Sequence, residues 1–354
     1  MKEVKKRILW VDIAKALAIL SVPISHTLNL DMTLRAMIFS FHMPLFFILS
    51  GYTTKLAEDK KTLIKRTKKN FLYLIIPALI IIFIYIFLTA LGTSGDGSFL
   101  GKMWHIFRET PVGYYPYSTQ DAVITWFLFA LFEAKFLMDV VNIVFKSEKN
   151  GLIFFGFGVL GICLGVFGHH QRFSFDLALV ATMFIEIGIL WRKYEDVIKK
   201  YTPILLIIAA AYWLSNVIEG NFVEFWARYY GGYEKSILTA IAGVFLVSNF
   251  AMMLEESVKK AGKFFKISMN SLVTLGKNTM LFYLIHSLDF IILRNFWDVR
   301  EGTPPTGKSI VVSCVLRLLL DLSVFLVVYH GLNLIKNRKK HKRILQILRF
   351  CGII

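Results

Sequence analysis

Residues 71–91 read FLYLIIPALIIIFIYIFLTAL, a run with no charged side chain. About 20 such residues in a helix cross the hydrocarbon core of a bilayer. In lipid every backbone N–H and C=O must be bonded internally, which leaves helices or a closed barrel. The run is continuous and does not alternate, so it predicts a helix. Comparable runs recur on either side of it. The spans they predict are 8–28, 33–52, 71–91, 121–144, 151–168, 173–190, 203–219, 234–254, 270–293 and 309–335. The fold class expected is therefore all-α, a polytopic membrane helix bundle of about ten transmembrane helices. Residues 1–335 form one membrane domain in this reading, and 336–354 a basic amphipathic tail lying on the inner leaflet.

The composition agrees. Of 354 residues, 56% are hydrophobic and only 18% charged, against about 25% charged in soluble domains. Mean hydropathy is +0.59. The net charge of +17 does not point to nucleic acid, because the Lys and Arg fall in short clusters between apolar segments, as membrane topology requires. With the N-terminus placed in the cytoplasm, 28 basic residues outside the spans lie on the inner side and 7 on the outer side. That bias puts both termini inside and the 92–120 segment outside. The first span is too long and too charged at its start for a cleavable signal and reads as a retained helix. Cys163, Cys314 and Cys351 suggest no disulfide framework. There is no HExxH, CxxC, P-loop or GxSxG pattern, so a metal site, nucleotide hydrolysis and serine-hydrolase chemistry have no support.

Charged groups inside the spans carry the functional signal, since each costs about 2.5–3.5 kcal/mol at mid-membrane on insertion scales. The first span holds Asp12, Lys15 and His26 on one helical face. Lys15 and His26 are roughly 16 Å apart along the axis, too far to touch but within reach of one elongated ligand. Asp12 and Lys15 also admit a plain ion pair near the inner interface. The second span holds His42 two residues before Pro44, a position where the backbone loses a hydrogen bond. The short turn near 29–33 brings His26 and His42 to the same outer half, where imidazoles suit acid/base work. A packing role for His42 beside Pro44 stays open. Ser50-Gly51 at the inner end adjoins a basic loop, KLAEDKKTLIKRTKKN, that is also ordinary positive-inside charge. Glu133 shares a face with Trp126 and reads either as a core acid or as a cavity group. Arg317 and Asp321, four apart, suit a structural pair.

These residues resemble a known family. Asp12-Ile13-Ala14-Lys15 followed by His26 is similar to the first-helix signature of the acyltransferase-3 family, in which a basic residue precedes a histidine by eleven. Phe41-His42-Met43-Pro44 through Ser50-Gly51 resembles that family's second-helix signature, and looks closest to the fucose 4-O-acetylase-like subgroup. Trp126-Phe127-Leu128 and Leu275-Gly276-Lys277-Asn278-Thr279, with Tyr283 and His286, resemble further landmarks. The resemblance implies a ten-helix enzyme of the cell membrane, of bacterial cytoplasmic-membrane type. It moves an acyl group, usually acetyl, from acetyl-CoA to a hydroxyl of a cell-envelope glycan or lipid-linked sugar, without a metal.

By that resemblance His26 is the catalytic histidine, with Lys15, His42 and Asp12 beside it. The family's arginine after Ser-Gly maps onto Arg66, which with Lys65, Lys69 and Ser50 is expected to hold the donor. Trp126, Tyr115, Glu133 and His286 are expected to meet the acceptor. Lysine at position 15, where arginine is commoner, removes a bidentate anion contact. The partners expected are membrane lipid, the sugar acceptor and a second copy of the chain; nucleic acid is not expected. Some relatives are membrane parts of amino-acid racemases, and a transporter of sugars or amino acids would also use intramembrane charge. No repeated pair of Gly/Pro-broken helices favours the transporter.

Overall fold

The computed structural model describes residues 7–28, 33–92, 98–109, 125–147, 149–168, 171–260, 262–293 and 307–337. Thirteen α-helices and no strand occur among them: α1 (Leu9–Ser25), α2 (Thr33–Thr53), α3 (Lys60–Asn70), α4 (Ile76–Gly92), α5 (Phe99–Glu109), α6 (Trp126–Phe145), α7 (Asn150–Val166), α8 (Phe175–Lys193), α9 (Glu195–Ile218), α10 (Glu234–Lys260), α11 (Lys263–Lys277), α12 (Thr279–Ile292) and α13 (Gly307–Asn337). The chain is thus a helical membrane bundle. The tail beyond 337 and most of the 92–120 segment, with Tyr115, lie outside the described residues.

Two expectations drawn from the sequence change. The basic segment read as a loop is largely helical: Asp59 caps α3 by accepting from Thr62 N at 2.9 Å and Thr62 Oγ1 at 2.7 Å. One π-helical turn at Phe71–Ile75 then carries α3 into α4, so basic segment and apolar span form one continuous rod. The span expected at 270–293 is instead two helices meeting at Asn278, whose φ of −120° and ψ of 31° leave the helical region. The Asn278 side chain donates to Thr274 O at 2.7 Å, satisfying a carbonyl exposed by the break. Hydropathy alone merged the two. The 3.6-residue period separates them, because α11 exposes Lys266, Ser268, Asn270 and Ser271 while burying Val273 and Leu275.

Among the described residues, five stretches are long and apolar enough to cross a membrane by length and composition: Thr33–Thr53, Lys60–Leu91, Glu195–Ile218, Glu234–Val258 and Ile310–Ile335. The bundle ranks these by position. The apolar window of α2 is 72% buried and that of α9 only 11%, so α2 is a central helix and α9 a lipid-facing one. The remaining inner helices are shorter or carry charge. α1 has 17 residues, α6 holds Glu133, Lys135 and Asp139, and α8 holds Asp176 and Glu186. Two of these charges have a cationic partner that offsets the insertion cost, Asp139 with Arg66 and Asp176 with Arg228.

Small residues let the central helices approach closely. A Cβ on Gly51 of α2 would stand 1.8 Å from Ile185 O, and one on Gly188 of α8 would stand 1.9 Å from Ile48 O. These reciprocal contacts bring the two backbones together, as small residues do in membrane bundles. Neither neighbour can yield, since both are helical carbonyls. Gly188→Ala is therefore expected to lower the melting temperature in detergent and to cost about 1–3 kcal/mol of stability, the usual range for overpacking. Gly156→Ala, where a Cβ meets nothing within 4 Å, is the matched control and should be neutral. Equal melting temperatures for the two variants would refute the close-packing argument.

Candidate functional site

α1, α2, α6 and α12, together with the α9–α10 connection, enclose a cavity of about 270 Å³. It runs along α1 from Lys15 past Ile19 and Val22 to His26, and along α2 from Thr53 and Ser50 to His42 and Phe39. One end therefore lies toward the first half of α1 and the end of α2, the helix that leads into the basic rod α3. The other end is the histidine cluster. α6 contributes Trp126, Phe127, Leu128, Leu131 and Lys135 at helical spacing, and α12 contributes Met280, Tyr283 and His286.

Three titratable groups form a line at the histidine end. Asp321 Oδ2 lies 2.9 Å from His286 Nδ1, and His286 Nε2 lies 3.4 Å from His26 Nδ1. The imidazole centroids are 5.3 Å apart. Donor and acceptor roles follow by elimination. A carboxylate only accepts, so His286 carries its proton on Nδ1 and presents the Nε2 lone pair. His26 then donates from Nδ1, which leaves its Nε2 as the basic nitrogen. The same logic orients the imidazole in acid–histidine–nucleophile triads. His42 Nδ1 bonds Ile38 O at 2.8 Å, which assigns that ring its proton in the same way.

A buried ion pair braces the line. Arg317 Nε donates to Asp289 Oδ2 at 2.6 Å, and Arg317 Nη1 donates to Thr27 Oγ1 at 3.3 Å, fixing the turn that carries His26. His286, Asp289 and Asp321 place one ligand atom each within 4.8 Å of one another. Arg317 already supplies a cation at Asp289, so this cluster reads as proton-handling and not metal-holding. Arg317 and Asp321, four apart in sequence, each reach a partner on another helix.

The connection between α9 and α10 folds back over the histidine end. Glu224 and Tyr229 exchange backbone hydrogen bonds at 2.9 and 3.1 Å, making a tight hairpin whose Arg228 adopts a φ of 52°. Two buried ion pairs pin it. Arg35 of α2 contacts Glu224 at 2.7 Å, and Arg228 contacts Asp176 at 2.8 and 3.1 Å. Val223, Phe225 and Trp226 line the cavity from this hairpin. Phe225 stacks on Trp126 with centroids 5.7 Å apart and meets Phe47 and Phe184 edge-on.

The structure sorts the residues picked from the sequence. His26, His42, His286, Lys15, Ser50 and Trp126 all line the one cavity. Lys15 sits at its far end from His26, eleven residues or roughly 16 Å along α1. Asp12 does not line the cavity; it is buried and held bidentately by Arg7 at 2.6 and 3.0 Å. Arg66 pairs with Asp139 at 3.2 Å and also donates to Lys55 O, so it ties α3 to α6. Lys65 and Lys69 are exposed, and Lys69 sits 5.9 Å from the Tyr73 ring centroid. Glu133 does not line the cavity, and its Oε2 is buried and lacks a hydrogen bond. Sequence reasoning missed Lys135 and the hairpin residues. A lysine in the middle of an apolar span was the available signal for Lys135; nothing local marked Phe225 or Trp226.

A family model described as an acyltransferase domain matches residues 8–336, nearly the whole chain. No curated protein and no solved structure matches it.

Proposed function

The chain belongs to the acyltransferase-3 family of membrane acyltransferases, and from that premise we propose that it moves an acyl group, most simply acetyl, from acyl-CoA to a hydroxyl of a cell-envelope glycan or lipid-linked sugar. The observation that carries this reading is the cavity itself. One continuous space joins the basic end of the bundle, at Ser50 and Thr53, to the His26–His286–Asp321 line. An elongated donor fits such a space with its charged end beside α3 and its thioester near His26. Membership in the family disfavours the transporter reading.

In this reading the acceptor hydroxyl binds at the histidine end. His26 Nε2 takes its proton as the oxygen attacks the thioester carbonyl carbon. The tetrahedral centre collapses, the C–S bond breaks, and the CoA sulfur leaves as a thiol after receiving the proton from His26. The base contributes about 10²–10⁴-fold to such a step. Trp126, Phe225 and Trp226 supply flat apolar surface of the kind that packs on a sugar ring.

The bias of Lys and Arg supports a cytoplasmic donor and an acceptor on the opposite side. Vesicles of known orientation test both parts. Labelled acetyl-CoA is supplied to one face at a time, with a glycan acceptor on the same or the opposite face. Label should reach the acceptor only when donor is at the basic face and acceptor at the other. Transfer with both confined to the basic face would refute the two-sided arrangement, and no transfer under any arrangement would refute the donor.

A further inference from the structure

Two lysines face the cavity in its half nearest the basic end, Lys15 from α1 and Lys135 from α6. No carboxylate near them in sequence pairs with either: Glu133, two residues from Lys135, makes no ion pair with it and leaves Oε2 without a hydrogen bond, and the other two are taken. Asp12 is held bidentately by Arg7. Asp139 accepts from Arg66 at 3.2 Å and from Ala57 N at 2.8 Å. Among the described residues neither lysine makes a hydrogen bond or an ion pair. Two half-buried ammonium groups of like charge in one membrane cavity are costly unless an anion joins them. Beside them Ser50 Oγ is buried, without a hydrogen-bond partner, in the same cavity wall. Cations and a hydroxyl donor that the protein leaves unsatisfied describe an anion site awaiting its ligand.

We propose that Lys15, Lys135 and Ser50 form the site for the donor's diphosphate, inside the bundle, and that α3 merely flanks its entrance. This deepens the acyl-CoA reading and rests on it. The spacing supports the assignment. From Lys15 to His26 is roughly 16 Å along α1, and an extended pantetheine arm is of that length, so a diphosphate held at Lys15 and Lys135 delivers the thioester to His26. Arg66, expected from the sequence to hold phosphate, is engaged by Asp139 and serves here as a brace. A polyprenyl diphosphate carries the same anion, so the test must separate the two sources.

Purified protein in detergent is compared as wild type, Lys135→Met, Lys15→Met and Lys135→Arg. Methionine keeps the length and apolar stem of lysine and suits the membrane, so the Met variants should fold and melt no lower than wild type. Each Met variant is expected to raise the KM for acetyl-CoA by about 10–100-fold, the value of one charge-assisted hydrogen bond. With acetyl-pantetheine, which lacks the diphosphate, the variants and wild type should differ by less than about twofold. Lys135→Arg should restore most of the affinity for acetyl-CoA. CoA should raise the melting temperature of wild type and not of Lys135→Met. Unchanged KM in both Met variants, with wild type active on acetyl-CoA, would overturn the lysine site and leave the donor reading intact. A melting shift with farnesyl diphosphate and none with CoA would assign the site to a lipid diphosphate and overturn the proposal. A wild type that neither binds nor consumes acetyl-CoA would overturn the donor reading and this site together.

Discussion

His26→Gln loses about 10²–10⁴-fold in kcat, the range that a positioned general base contributes, while its KM for the acyl donor and its melting temperature stay near wild type. Glutamine matches imidazole in reach and polarity but cannot take up a proton at neutral pH. Little structural damage is expected. His26 lies just past the end of α1, in a turn fixed by Ile24 O, Pro23 O and the Arg317–Thr27 bond. That turn does not depend on the imidazole. In the proposed arrangement the donor's charged end lies at the other end of the cavity, so its binding should not register the change. The measurement is steady-state acyl transfer by purified protein beside a thermal melt. A Gln variant with wild-type turnover would remove His26 from the proton transfer. A variant that melts far below wild type would assign the histidine to packing instead.

Much of this site was legible because membranes penalise charge. Lys15 and His26 stand out in an apolar helix, and their shared face follows from helical geometry alone. His42 beside Pro44 stood out for the same reason, and the three residues do line one cavity. The partners of these groups were not legible. Asp321 lies 35 residues from His286 and His286 lies 260 residues from His26, separations over which sequence gives no register. Local spacing even misdirected the reading, since Arg317 and Asp321 at i and i+4 reach Asp289 and His286 respectively. Lys135 was hidden among Glu133 and Asp139 of the same helix, where neighbouring opposite charges suggest mutual neutralisation. Asp139 turns instead to Arg66 and Ala57. Arg66, expected to hold the donor, has a partner the sequence did not announce, Asp139 on another helix, 73 residues away. The broken span at Asn278 was lost because mean hydropathy does not distinguish an amphipathic surface helix followed by a short buried one from a single crossing.

Asp321→Asn separates an orienting role from a merely structural one, and is expected to lower kcat about as far as loss of His26 does. The substitution conserves shape and removes the charge. In wild type the carboxylate accepts the proton on His286 Nδ1 at 2.9 Å. An asparagine amide can turn its NH₂ toward that nitrogen, after which His286 carries its proton on Nε2. His26 Nδ1 must then accept, so the His26 proton moves to Nε2 and occupies the nitrogen that should act as base. One changed atom at Asp321 is thus carried through two rings to the reacting position. The equivalent Asp→Asn inversion in a serine-protease triad costs roughly 10⁴ in kcat with the geometry intact. The KM for the donor should not change, because the end of the cavity proposed to hold the diphosphate is untouched. Asp321→Glu, which keeps an acceptor, should recover part of the loss. Arg317→Met provides the contrast. It leaves Asp289 buried without its 2.6 Å partner and is expected to cost about 3–5 kcal/mol of stability, seen as a lowered melting temperature. Kinetics and melting on the three variants should therefore diverge, with Asn slow but stable, Glu partly active and Met unstable. Wild-type kcat in Asp321→Asn would break the relay and leave His26 acting without an oriented partner.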